Sequence, residues 1–313
     1  MKKNKEDIEE LEIEEENEEL EEEEEELEEK PKKRHILLNI FIFGFAIILS
    51  VVFYAKYVGT KGLIVKEYRV DSNILTTNFS GLKIIHISDL LYKSTVDKSD
   101  VRDLVNKVNE LRPDIIVFTG DLVNKGAKMK LEDNEFLTEQ LSLMHANIGK
   151  YAIYGDYDYD YKSYDSVMND SGFKILSNSY EEIFYKTNDS MYIVGLPSSI
   201  KDKINLEEAF KFYDELNRKY TICLVHEGAS IKYINDSTYE VDLILGGHSL
   251  NGSVVIPFYG GLFKDKNNYK YSEPYYSKGI TNIYISSGLG TKVHDYRMFN
   301  KPSFNFYRLI AQS

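Results

Sequence analysis

From about residue 80 the chain alternates short apolar, β-branched runs with segments whose apolar residues recur every three or four positions. LKIIHIS (82–88), DIIVFTG (114–120), YAIYG (151–155), MYIVGL (191–196), TICLVH (221–226), DLILGGH (242–248) and NIYISSG (282–288) have strand length and end in turn residues, which predicts buried strands. Between the first two, Val101, Leu104, Val105, Val108 and Leu111 keep helical spacing until Pro113 stops it, as in a crossover helix joining parallel strands. Similar helices are expected near 130–146 and 205–217. After residue 250, SVVIP (253–257) and SFNFYRLI (303–310) predict strands that close a second sheet. The class is α/β.

Upstream, the pattern changes. ILLNIFIFGFAIILSVVFYA (36–55) carries no charge over twenty residues, enough at 1.5 Å per residue for a hydrocarbon core of roughly 30 Å. It is longer than the apolar region of a signal peptide and has no small-residue cleavage site, so it predicts an uncleaved, single-pass anchor. Lys30, Lys32, Lys33 and Arg34 precede the span and Lys56, Lys61, Lys66 and Arg69 follow it. The tighter first cluster favours a cytoplasmic N-terminus and an external C-terminal domain in the cell membrane.

The chain thus divides into an acidic tail (1–35), a transmembrane helix (36–57), a linker and lead-in (58–80) and a folded domain (81–313). Residues 1–30 hold 17 Glu and one Asp against four Lys, a net of −14, while the whole chain is −13. The acidity therefore belongs to the tail, and the rest is nearly neutral, with no nucleic-acid signal. Runs such as Glu21 to Glu26 cannot offset ordering entropy, so the tail reads as a disordered, solvated spacer. A docking segment for a basic partner is the alternative. The single Cys223 excludes an internal disulfide, and within TICLV it reads as a small buried hydrophobe.

Several predicted strands end in polar clusters: Ser88-Asp89, Thr119-Gly120-Asp121, Gly155-Asp156, His226-Glu227 and Gly247-His248. Ligands of open α/β sheets gather at the carboxyl ends of strands, so these endings suggest one shared site. Asp121, Asp156, His226 and His248 offer oxygen and nitrogen donors suited to Mn, Fe or Zn. Singly, each reads as readily as a structural residue; their order and strand-end placement carry the inference.

That order resembles the calcineurin-like metallophosphoesterases, whose blocks run Asp-x-His, Gly-Asp, Gly-Asn-His-(Asp/Glu), a lone His, and Gly-His-x-His. Here they read SDLLYKS, TGDLV, YGDYDYD, LVHEG and LGGHSLNGS. With PFYGGLF, YSKGI and SSGLGT the likeness extends from about residue 82 to the C-terminus and is greatest to the membrane-anchored bacterial branch. It implies a four-layer αββα sandwich of two mixed β-sheets flanked by helices, preceded by one transmembrane helix.

Carried over position by position, the resemblance implies two unequal half-sites. One metal would need Asp89, Leu91, Asp121 and Leu250, and two of these have become leucine, which coordinates nothing. The other would need Asp121, Asp156, His226 and His248, and all four keep a donor, with the anionic Asp156 where the family has Asn. One divalent ion per chain (Mn, Fe or Zn) is therefore expected, with Asp89 a fifth donor or an acceptor for bound water. Without a cation, Asp89, Asp121 and Asp156 would converge with no positive partner.

The family's catalytic His is replaced by Tyr157, next to Asp158, and these two are the candidate catalytic residues. A phenol is a slow proton donor at pH 7, and general acid catalysis is worth roughly 10² to 10⁴. His86, Glu227 and His294 are candidates to compensate, with core packing the alternative for His86 and an exposed loop carboxylate the alternative for Glu227. Two functions follow: a membrane-anchored phosphoric ester hydrolase acting on a small-molecule phosphoester or lipid head group, or a catalytically inactive relative that binds a metal, a phosphate-bearing ligand or a protein partner.

Overall fold

The computed structural model describes residues 35–262 and 270–312. The acidic tail lies outside the described residues. Helix α1 (His35–Val58) is long and apolar enough to cross a membrane, and its most apolar stretch is wholly exposed. Its last residues, Tyr54–Val58, widen into a π-turn closed by the Gly59 N–H on the Tyr54 carbonyl at 2.8 Å.

The folded part holds two mixed six-stranded sheets. The first runs β1 (Ile64–Ser72), β14 (Ser303–Ala311), β2 (Lys83–Ile87), β3 (Ile115–Phe118), β4 (Gly149–Ala152) and β5 (Phe173–Ile175). The second runs β12 (Tyr275–Lys278), β13 (Thr281–Ile285), β9 (Leu243–Gly246), β8 (Thr221–Leu224), β7 (Ser190–Gly195) and β6 (Ser179–Phe184). The seven expected strands all form, and β2, β3, β4 and β5 pair in parallel, as do β7, β8, β9 and β13.

Period-two alternation sorts the side chains into layers. Ile84, Ile115 and Val117 face Ile222, Leu224, Leu243 and Leu245 between the sheets. Ile85, Ile87, Ile116 and Phe118 instead pack under α2 (Lys98–Glu110), α3 (Leu131–Ser142) and α4 (Tyr164–Asp170). The far face of the second sheet, with Cys223 and Ile244, is covered by α5 (Leu206–Ala209) and α6 (Ile231–Asn235). The result is the four-layer αββα sandwich. Helix α2 begins at a reciprocal capping box between Asp97 and Asp100 and ends before Pro113.

Three expectations need correction. The segment 303–310 does not close the second sheet; β14 lies in the first, parallel to β1 and antiparallel to β2. SVVIP forms only β10 (Val255–Ile256), paired with β11 (Gly260–Gly261) in a separate hairpin. The helix foreseen over 205–217 stops after one turn, because Phe210 stacks on Tyr239 (4.7 Å between ring centroids) and Phe212 on Tyr192 (3.7 Å), and a continued helix would not serve both contacts. Strand β1 of the first sheet falls within the lead-in 58–80.

Candidate metal centre

The site lies where β2, β3, β4, β8 and β9 end. Asp89, Asp121 and His248 all adopt positive φ (49°, 62° and 61°), a conformation that costs non-glycine residues of order 1–3 kcal/mol and persists only when surroundings enforce it. Those surroundings are visible. The Asp89 N–H donates to the Gly120 carbonyl (2.9 Å), the Leu91 N–H to the Asp121 carbonyl (3.0 Å), and the His248 N–H to Asp89 Oδ2 (2.9 Å). Gly155 lies against Asp121, where a Cβ would fall 2.3 Å from Oδ1.

Asp158 binds two of these turns together. Its Oδ2 accepts from the Asp121 and Gly155 N–H groups (2.7 and 2.8 Å) and its Oδ1 from Leu122 N–H (2.8 Å). Both oxygens are thus engaged by backbone, while burial and the Asp121 charge push the carboxyl up to about 8. Tyr157, the other expected catalytic residue, donates its backbone N–H to Asp121 Oδ1 (2.9 Å) and is half-buried. Burial raises its phenol above the ordinary value, so it stays protonated at neutral pH.

The four expected ligands converge. Asp121, Asp156, His226 and His248 are all buried and each presents a donor atom within 4.8 Å of the others. His226 Nε2 lies 3.2 Å from Asp121 Oδ2, 3.4 Å from Asp156 Oδ1 and 3.2 Å from His248 Nδ1, and that Nδ1 lies 3.1 Å from Asp156 Oδ1. Four donors placed tetrahedrally at about 2.0–2.1 Å from one ion are about 3.3–3.4 Å apart, close to these four separations, so the group could hold a divalent cation. His226 Nδ1 donates to the Thr119 carbonyl (2.6 Å), which leaves the Nε2 lone pair facing the cluster in the neutral ring. Burial would raise the Asp121 and Asp156 carboxyls, but the histidines and a lysine outweigh it and hold both well below the carboxylate range.

That lysine is the residue sequence reasoning missed. Lys292 Nζ lies 2.8 Å from Asp121 Oδ2, 3.2 Å from Asp89 Oδ1, 2.9 Å from His248 Nδ1 and 5.0 Å from the centre of the Tyr157 ring. Burial would depress its pKa, but Asp121, Asp89 and Asp156 keep it above the ordinary lysine value. The expectation that three carboxylates would converge without a positive partner is therefore corrected. Asp89, expected as a fifth donor, spends Oδ2 on Ser88 Oγ and the His248 N–H and turns Oδ1 to Lys292.

Two of the expected compensators, His86 and Glu227, are engaged away from the centre. His86 is a core residue between the sheets, with Nε2 2.8 Å from Thr119 Oγ1 and its ring stacked on Tyr307. Glu227 is neither exposed nor aimed at the metal ligands; it is fully buried and accepts from Ser198 Oγ and the Ser199 N–H. His294 is exposed two residues beyond Lys292. The signal for Lys292 was its place after SSGLGT, a strand ending like those that carry the ligands.

A family model for calcineurin-like phosphoesterase matches residues 82–252. The metallophosphoesterase YkuE of Bacillus subtilis is 28% identical over 259 residues, covering 82% of this chain and 88% of that protein. A transmembrane protein with metallophosphoesterase domain from Danio rerio is 25% identical over 235 residues, 69% of this chain and 50% of the relative. The UDP-2,3-diacylglucosamine pyrophosphatase LpxG of Chlamydia trachomatis is 26% identical over 224 residues, 57% of this chain and 66% of the relative.

Proposed function

The chain belongs to the calcineurin-like phosphoesterase family, and on that premise we propose that it is a phosphoric ester hydrolase working with one divalent ion at a membrane surface. The convergence of Asp121, Asp156, His226 and His248 carries this reading. A bound divalent ion would supply Lewis-acid polarisation of a phosphoryl oxygen. The protein's own groups do the rest. Asp121 and His226 are fully buried, whereas Asp156 and His248 keep 8% and 5% of their surface exposed, so a phosphoester approaches from the side of these two and Lys292. The Thr119 carbonyl fixes the His226 tautomer. Tyr157 offers the leaving group a hydrogen bond, and its phenol is too weak an acid to be an efficient proton source at neutral pH.

The substrate we favour is a phosphoester carried on a lipid head group, because α1 is built to span a bilayer and one relative is named for a pyrophosphatase of a diacylated sugar nucleotide. The cytoplasmic N-terminus and external domain are part of the proposal, supported by the basic cluster at 30–34. A second reading, phosphoester binding without turnover, draws support from Leu91 and Leu250, both buried where the family carries imidazoles. The test is hydrolysis of bis(p-nitrophenyl) phosphate by the full chain in detergent micelles with Mn, Fe or Zn. Turnover above an Asp121→Ala control is expected; its absence, with phosphoester still bound, would establish the second reading instead.

A further inference from the structure

Lys292 occupies a particular part of the centre. Its ammonium bridges Asp121 Oδ2 (2.8 Å) and Asp89 Oδ1 (3.2 Å), both buried, and also touches His248 Nδ1 (2.9 Å), a nitrogen it would share with the divalent ion. These carboxylates belong to the half-site that has lost both imidazoles. Around them the space is filled by protein: Gly290 approaches Leu91 so closely that a Cβ would lie 2.5 Å from the leucine Cβ, and Gly288, with φ 65°, would put one 2.5 Å from Leu250 Cδ2. The two leucines and the glycines of the 286–292 loop are complementary surfaces.

The loop itself is held from two sides. The Leu289 and Gly290 N–H groups both donate to the Asp89 carbonyl at 3.0 Å. Arg297, fully buried, donates to the carbonyls of Ser287, Gly288, Gly290 and Asn300. Lys292 is therefore delivered to a fixed place. Charge agrees with placement: Asp89, Asp121 and Asp156 together carry three negative charges, which one divalent ion and one ammonium neutralise.

We propose that Lys292 is the second cation of this centre, a tethered ammonium standing between Asp89 and Asp121 in place of a second metal ion and offering Nζ to a phosphoryl oxygen beside the single divalent ion. This rests on the metal-centre reading above but not on turnover. Of its three donors two face Asp89 and Asp121, and the third, on His248 Nδ1, would be released to a phosphoryl oxygen once that nitrogen turned to the divalent ion; an ammonium orients such an oxygen but cannot activate water as a metal does.

The test is metal content per full-length chain in detergent, measured by elemental analysis. Wild type and the Leu91→His/Leu250→His variant should each hold one divalent ion, because Lys292 still fills the half-site. Adding Lys292→Ala to that pair should raise the content to two. Two ions in wild type or in the double variant, or one ion in the triple variant, would overturn the proposal. In the otherwise unaltered chain, Lys292→Met should keep one ion and weaken binding of inorganic phosphate at least tenfold; an unchanged phosphate affinity would also overturn it. Absence of turnover with one ion retained would count against the hydrolase and leave this inference standing, whereas two ions with turnover would do the reverse.

Discussion

Removing the guanidinium of Arg297 tests how firmly the 286–292 loop is built. All three of its nitrogens donate to backbone carbonyls: Nη2 to Gly290 (2.6 Å), Ser287 (2.8 Å) and Gly288 (3.2 Å), Nη1 to Asn300 (3.1 Å) and Nε again to Gly290 (3.2 Å). Burial pushes its pKa down to about 10, so it remains charged at neutral pH. Hydrogen bonds from a charged donor contribute about 1.5–3 kcal/mol each, and the two shortest dominate here. Arg297→Met keeps the aliphatic stem and strands the carbonyls of Ser287, Gly290 and Asn300, while Gly288 keeps the Ser303 N–H, for a loss of about 4 kcal/mol. At about 2 °C per kcal/mol for a domain of this size, Tm should fall by about 8 °C. The chain has 25 Tyr and no Trp, so tyrosine fluorescence or near-ultraviolet circular dichroism of the full chain in micelles reads the transition. A fall below about 2 °C would refute the assigned role of the network.

His86 is buried and its pKa is pushed down to about 3, so as pH falls below its unfolded value near 6.5 the unfolded chain takes up the proton first. The stability it contributes is present above about pH 6.5 and is lost toward pH 3 at up to about 1.4 kcal/mol per pH unit; unfolding curves of wild type and His86→Gln between pH 7.5 and 5 should converge accordingly, and parallel curves would exclude it. Asp156→Asn restores a neutral donor and should weaken divalent-ion affinity about tenfold or more, about 1.4 kcal/mol, in a chelator competition. Asp158→Asn turns an amide donor toward a backbone N–H that an Asp158 oxygen accepts, and should cost about 1–3 kcal/mol in urea unfolding together with a loss of metal affinity.

What the sequence made legible follows from where the information sits. The seven core strands are local patterns, apolar runs closed by turn residues, and each appears where the pattern puts it. The partner of β14 is not local: Ser303 pairs with Ile64, so its sheet is set by the far end of the chain. The short α5 yields to aromatic contacts from distant strands, which periodicity cannot register. At the site, Asp121, Asp156, His226 and His248 were readable because donors at strand ends are conspicuous. Lys292 was not, since a lysine in a polar loop resembles any surface lysine until the three carboxylates around it are seen together.

The close fit of Gly288 and Gly290 against Leu250 and Leu91 also limits how this chain can change over generations. A histidine regained at position 91 or 250 alone would meet a packed loop and an ammonium, with no ion to bind. A lysine lost alone would leave three carboxylates facing one divalent ion. Each single step is unfavourable where the three together are not, the non-additivity expected of residues in contact. Mutation one residue at a time therefore has no downhill route to a site with imidazoles at both positions, and sequences derived from this one should vary around the lysine more readily than they abandon it.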